Sequence, residues 1–247
     1  MDEGHAKQLV EGKVGDDAPA YDYDNITSRY WRVEDEAFTA ESVCRADERV
    51  KVTATNTMPY MAICKLYMRS PSGRSYIGTG WLSAPNKLYT AGHCVYDVGE
   101  QGFMTSITVV PGLNGLTKPF GEYRAVSMTA TRGWIDNGSH RYDMGLIKLD
   151  RPVTHGQCLR PELADPSHAE VCGYPGDRDT GIFQYKMTDI IGKSGGQFNY
   201  MIDTFGGQSG APVLRNRYCA VGIHNYGGCP NSASDLYESF VEFADNW

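Results

Sequence analysis

Gly206-Gly207-Gln208-Ser209-Gly210-Ala211-Pro212-Val213 sets a serine between glycines and follows it with a small residue, a proline and an apolar side chain. A free serine hydroxyl is a weak nucleophile. It becomes an effective one when a tight turn exposes it, a base takes its proton and N–H groups hold the oxyanion that forms. Glycines permit such a turn and let backbone N–H groups approach a substrate closely. The same pattern also describes an ordinary glycine-rich turn, so the decision rests on partners elsewhere in the chain.

Two partners are present. Thr90-Ala91-Gly92-His93-Cys94 follows an apolar, strand-like run from Gly80 to Tyr89. Tyr142-Asp143-Met144-Gly145-Leu146-Ile147-Lys148-Leu149 places an acid at the start of another strand-like run. Taken singly, His93 reads as a core or surface histidine and Asp143 as a strand cap. Taken together, the widely spaced order His93, Asp143, Ser209 is that of a nucleophilic serine, its base and the acid that orients the base. Ser209 would attack a carbonyl, His93 would carry the proton to the leaving group, and Asp143 would fix the tautomer and stabilise the imidazolium.

Length and pattern set the frame for this constellation. The 247 residues can bury one large β domain or two small ones. Short strand-like runs recur between turn signals: Tyr60–Met68, Tyr76–Leu82, Ser106–Val110, Met144–Leu149, Tyr200–Asp203 and Cys219–His224. That spacing predicts an all-β barrel or sandwich fold. Only Ser234–Trp247 reads as helical, with Leu236, Phe240 and Phe243 on one face.

Charge is unevenly placed. Residues 1–41 hold eleven acids and four bases, a balance of −7 that equals the formal charge of the whole chain. Residues 42–247 are therefore neutral overall, with nineteen acids and nineteen bases. The acidic first segment is poor in apolar residues and reads as a separate polar extension. No basic patch points to a nucleic-acid partner, and no run is long and apolar enough to cross a membrane as a helix. Met1-Asp2-Glu3-Gly4 is too polar to open a signal peptide. Either a leader has been removed or the chain is not exported by that route. Seven cysteines, none in a Cys-x-x-Cys pair, argue for disulfides and an oxidising compartment rather than for zinc. An odd count leaves at least one thiol outside intrachain bridges. Asn25-Ile26-Thr27 and Asn137-Gly138-Ser139 are permissive glycosylation sequons.

From about Val43 to Trp247 the chain resembles the staphylococcal and Bacillus glutamyl endopeptidases, a branch of the chymotrypsin-fold serine proteases. The resemblance rests on ordered blocks: Ala84-Pro85-Asn86-Lys87 leading into Gly92–Asp97, Tyr142-Asp143, Gly173–Asp177, Ile202–Gly210, Val221–Asn225 and Phe240–Phe243. It implies a chymotrypsin-like double β-barrel, six strands each, with the active site between the barrels and a C-terminal helix alongside. The implied division is an acidic propeptide over 1–41, partly disordered or packed on the enzyme, an N-terminal barrel over 42–160, and a C-terminal barrel with the helix over 161–247. His93, Asp143 and Ser209 become the catalytic triad, and the N–H groups of Gly207 and Ser209 the oxyanion hole.

Specificity is implied in the same way. In this branch a histidine beside the S1 pocket and a hydroxyl residue five positions before the nucleophile bind the P1 carboxylate; the matching positions here are His224 and Thr204. A buried carboxylate needs such donors. The branch's third ligand is the new α-amino terminus, which here would be Ser42 after cleavage behind Glu41, with Glu34 and Glu36 as alternatives. Gln208 stands where the Bacillus and staphylococcal enzymes have asparagine and trypsins have aspartate, so it cannot pair with the new terminus. By analogy with relatives, Cys94 pairs with Cys64 and Cys44 with Cys158. Cys172 pairs with Cys219, leaving Cys229 alone, or Cys219 pairs with Cys229.

The expectation is a secreted, monomeric serine endopeptidase, made as a zymogen, that cuts protein or peptide substrates after Glu and less readily after Asp. No cofactor and no metal are expected, although a loop calcium is left open. Two other readings stand beside it. One is a trypsin-fold protease of other P1 preference; the other is a non-catalytic homologue acting as a binding module, against which the intact triad residues argue.

Overall fold

The computed structural model describes residues 2–15 and 43–247. Helix α1 (Glu3–Ala6) and strand β1 (Leu9–Lys13) come first, and β2 (Val50–Lys51) follows after residue 43. The first barrel is built from β3 (Ile63–Arg69), β4 (Ser75–Ala84), β5 (Lys87–Thr90), β8 (Ser106–Pro111), β9 (Tyr123–Thr131) and β10 (Gly145–Leu149). The short hairpin β6 (Tyr96–Asp97) and β7 (Gly102–Phe103) projects between β5 and β8. Helix α2 (Arg132–Asn137) joins β9 towards β10. The second barrel uses β12 (His168–Gly173), β13 (Tyr185–Ser194), β14 (Gln197–Tyr200), β15 (Pro212–Asn216), β16 (Cys219–Tyr226) and β17 (Asn231–Asp235), with β11 (Arg160–Pro161) added outside β16. Helix α3 (Glu238–Asn246) ends the chain.

Each six-stranded sheet closes on itself. In the first, the order β9-β10-β5-β4-β3-β8 is completed by β8 pairing with β9. In the second, β16-β15-β12-β13-β14-β17 is completed by β16 pairing with β17. Closure removes open edges and gives each barrel one packed interior. This is the chymotrypsin-like double barrel expected from the sequence.

Strand alternation places the core. In the first half of β9, Tyr123 and Ala125 are buried while Arg124 and Val126 face out. The interior of the first barrel centres on Trp81 stacked on Tyr89, with ring centroids 4.4 Å apart. Phe240 of α3 meets Tyr89 edge-on at 5.4 Å, and Lys87 Nζ donates to the Ala244 carbonyl at the helix end. The C-terminal helix therefore seals the first barrel, although it follows the second in sequence. Val171, Phe198, Ile202, Val213 and Val221 fill the second barrel.

Several local expectations shift. The run from Gly80 to Tyr89 is a hairpin, because Pro85-Asn86 turns the chain between β4 and β5. Tyr60–Ala62 is a short 3-10 turn ahead of β3, and β14 ends at Tyr200 where a strand over 200–203 is predicted. Strands β12 and β13 alternate buried with exposed polar residues, and β17 buries Asn231 and Ser234, so all three show little apolar signal. Residues 2–15, from the acidic segment, lie on the first barrel: β1 runs antiparallel to β9 from Leu9 opposite Thr131 to Lys13 opposite Ser127.

The disulfide expectations are corrected. Cys44 is bridged to Cys229 with Cα atoms 5.5 Å apart, and Cys64, Cys94, Cys158, Cys172 and Cys219 are free thiols. None of the four pairings Cys64–Cys94, Cys44–Cys158, Cys172–Cys219 and Cys219–Cys229 forms. The side chains point at different neighbours: Cys94 Sγ lies 3.6 Å from the Ser209 carbonyl, Cys172 Sγ 3.5 Å from Gln184 Oε1, and Cys219 Sγ accepts from Arg160 at 3.3 Å.

Candidate active site

Ser209 sits in the turn between β14 and β15 of the second barrel, on the side facing the first. Its backbone carbonyl accepts from Thr79 N of β4 at 2.9 Å, which locks the serine turn to the first barrel. Glycine is required on both sides. Gly207 has φ +103° and a Cβ there would stand 2.5 Å from the Tyr174 carbonyl oxygen; Gly210 has φ +88° and a Cβ would stand 2.1 Å from the Thr79 carbonyl oxygen. Gln208 Oε1 accepts from Phe205 N at 3.1 Å, and Gln208 N donates to the Phe205 carbonyl at 3.0 Å. The glutamine side chain closes its own turn and needs no chain terminus to do so.

His93 lies on the 3-10 turn Gly92–Cys94 that ends β5, and Asp143 follows the turn His140–Tyr142 that leads into β10. The two are joined twice: His93 Nδ1 is 2.7 Å from Asp143 Oδ2, and His93 N donates to Asp143 Oδ1 at 2.8 Å. Asp143 is fully buried and His93 6% exposed. Burial works against a charged imidazole, but the Asp143 carboxylate outweighs it and holds the His93 pKa well above its ordinary value. Trp134 of α2 stands edge-on to His93 at 6.0 Å. Gly92 makes room for this packing, since a Cβ there would fall 2.8 Å from Asp143 Oδ1. From the second barrel, Asn225 Nδ2 donates to the Asp143 carbonyl, and Ser234 Oγ donates to His140 O at 2.9 Å. An oriented imidazole beside a glycine-flanked serine is suited to acyl transfer.

A second polar cluster adjoins the serine turn. His224 of β16 is fully buried; its backbone carbonyl accepts from Gly210 N at 2.7 Å. Tyr200 Oη lies 2.6 Å from His224 Nδ1. Thr204 is also fully buried, and its hydroxyl has no hydrogen-bond partner among the described residues. Beside it, Asp203 accepts from Cys44 N at 2.8 Å and from Glu48 N at 3.2 Å. Arg49 bridges Asp47 and Asp177, completing a clamp on residues 44–52.

The sequence profile of the Trypsin family matches residues 49–246. The chain belongs to the trypsin family of serine proteases. A glutamyl endopeptidase of Bacillus licheniformis is 30% identical to it over 227 residues, covering 85% of this chain and 70% of that protein. A Bacillus subtilis protein named extracellular metalloprotease is 33% identical over 198 residues, covering 76% of this chain; the chain spans 63% of that relative's length. Among solved structures, a Glu endopeptidase in complex with MPD superposes with a TM-score of 0.73 at 32% identity, over 83% of this chain and 98% of that one.

In this trypsin-family protease the fold unites His93 with Asp143 directly, and it holds the Ser209 backbone against Thr79 of β4 and against Cys94, the residue after His93. Gly207 and Ser209 share the serine turn, and Thr204 and His224 flank it. Ser42, Glu34, Glu36 and Glu41 lie outside the described residues. Sequence reading missed Tyr200, Asn225, Trp134 and Asp203. Tyr200 stood in a strand-like run, and nothing local marks its phenol as the partner of a histidine 24 residues away.

Proposed function

We propose that this chain is the precursor of a serine endopeptidase that cuts after glutamate, and less readily after aspartate, through His93, Asp143 and Ser209. Ser209 Oγ attacks the scissile carbonyl while His93 Nε2 takes its proton. The Gly207 and Ser209 N–H groups receive the oxyanion, each such donor being worth ~2.7–4 kcal/mol in the transition state. His93 then protonates the leaving amine, and the acyl-enzyme forms as the C–N bond breaks. Water attacks that ester, gives its proton to His93, and the serine leaves with it.

The observation that carries the glutamate reading is the Tyr200–His224 contact beside the Thr204 hydroxyl, which has no hydrogen-bond partner among the described residues. A tyrosine O–H donating to Nδ1 leaves the proton of a neutral imidazole on Nε2. An imidazole N–H and a hydroxyl then answer a P1 carboxylate. Ser42, two residues from the Cys44–Cys229 bridge, would supply an α-ammonium group once the first segment is cut. The match to glutamyl endopeptidases supports the same reading. The disulfide, and a relative named as extracellular, support secretion. Steady-state cleavage of matched peptides with P1 Glu, Gln, Lys or Phe, before and after processing, tests the proposal. A processed enzyme that prefers Lys or Phe refutes it.

A further inference from the structure

Residues 2–13 make an extensive contact with the first barrel. The β1–β9 pairing covers five residues and is extended at both ends, by Arg132 N donating to the Gln8 carbonyl at 2.6 Å and Val14 N to the Val126 carbonyl at 3.3 Å. Side chains reinforce it. Ser127 Oγ donates to Glu11 Oε1 at 2.6 Å, and the Gly12 backbone lies so close to Phe103 that a Cβ would fall 2.4 Å from the ring. Ala6, the last residue of α1, is buried. His5 Nε2 sits 3.0 Å from Asp136, Glu3 pairs with Arg141 at 3.1 Å, and Lys7 Nζ lies 5.2 Å from the centre of the Tyr237 ring.

Apart from Phe103 and Tyr237, these partners fall on one stretch, residues 126–141, which leads to Asp143. Within it Thr131 caps α2, Trp134 packs on His93 while its Nε1 donates to the Tyr96 carbonyl at 3.0 Å, and the 3-10 turn delivers Asp143. Removing β1 would strip Ser127–Thr131 of pairing along one side and leave an open edge. A cut after Glu34, Glu36 or Glu41 falls more than twenty residues beyond Lys13 and breaks none of these contacts.

We propose that residues 2–13 stay docked on β9 after the chain is cut, so that the processed enzyme is a noncovalent two-piece complex whose smaller piece braces the segment carrying Trp134 and Asp143. This rests on the reading that the first segment is cleaved. It makes the segment's beginning a permanent strand of the enzyme, while its end is the part whose release frees Ser42. Positioning through main-chain pairing also explains how so polar a segment holds: five backbone pairs and a few ion pairs need little apolar surface.

Retention is tested apart from activity. The full chain carrying Ser209→Ala, with the recognition sequence of an unrelated site-specific protease inserted between residues 34 and 41, is cut and passed over a sizing column with intact-mass detection. The fragment holding residues 2–13 is expected to co-elute one-to-one and to leave only in denaturant; its separate elution overturns the proposal. In the same cut chain, Val10→Pro removes a ladder N–H and should release the fragment. Bracing is then read on the cut chain with Ser209 intact, as the rate of labelling by a fluorophosphonate probe, which asks nothing of P1. Dilution until the fragment leaves should slow labelling at least roughly tenfold, and adding the fragment back should restore it. An unchanged rate overturns the bracing role. A co-eluting complex that never labels refutes the protease reading and leaves retention standing.

Discussion

Tyr200 Oη lies 2.6 Å from His224 Nδ1, joining β14 to β16 across β17 inside the second barrel. Both residues are buried; in the proposed P1 site a phenol donating to Nδ1 would leave the proton of a neutral imidazole on Nε2. Tyr200→Phe keeps the ring and removes the oxygen. The expected result is a roughly tenfold loss of kcat/KM on P1 Glu substrates, the scale of one lost hydrogen bond, with a smaller loss on P1 Gln. Equal losses on both would show that Tyr200 supports the barrel and not the choice of substrate.

His224→Ala is expected to act in the same direction and further, cutting P1 Glu hydrolysis far more than cleavage after neutral residues. Paired kinetics on Glu and Gln peptides check it. An equal fall on both would remove His224 from the pocket.

In the proposed mechanism His93 must be neutral to accept the serine proton; burial opposes its charged form, but Asp143 outweighs burial and raises its pKa. The acid limb of kcat/KM should therefore lie above the ordinary histidine value of about 6.5. The stability term has the opposite sense. A raised folded-state pKa contributes stability that is fully present below about pH 6.5 and is lost as pH rises through the folded pKa. Asp143→Asn should lower the limb and cost about 10⁴ in kcat, and Ser209→Ala on the order of 10⁶. A pH–rate profile flat from about 4 to 8 would contradict the role of His93.

Lys65 of β3 is fully buried, its Nζ has no hydrogen-bond partner among the described residues, and burial lowers its pKa to about 7. The unfolded chain holds that proton up to about pH 10.4, so between those values it binds more protons than the folded state. Stability should rise with pH across that window through this group, with the full cost present below pH 7. Lys65→Met is expected to stabilise the protein at neutral pH by roughly 1–3 kcal/mol and to flatten the rise. Urea unfolding at pH 6, 7 and 9 measures both.

The Cys44–Cys229 bridge and the Asp203 contacts fix the chain just downstream of residue 42 beside Thr204. Replacing both cysteines by serine should raise KM for P1 Glu by roughly tenfold in the processed enzyme, with kcat changed less, because the anchor of the terminus is loosened. A KM that stays unchanged would separate the bridge from substrate binding.

The chain order His93, Asp143, Ser209 and the glycines about the serine were legible in the sequence, because nucleophilic chemistry restricts residue type and local turn. So were the β class, from recurring short apolar runs, and a helix near the C-terminus, although it begins only at Glu238: Ser234 and Asp235, expected in it, end β17, and Leu236 precedes it. Strands such as β12, β13 and β17 were not, since polar residues interrupt their apolar positions and β17 buries Asn231 and Ser234 themselves. The disulfide was not, because cysteine pairing depends on where Cβ atoms meet, and Cys44 meets Cys229 across 185 residues. Only the tertiary structure decided that Tyr200 addresses His224, that Asn225 of the second barrel holds Asp143 of the first, and that the acidic beginning of the chain is a strand on β9. Each of these is a contact between remote segments. Its energy comes from geometry that barrel closure creates, and no local pattern of residues encodes it.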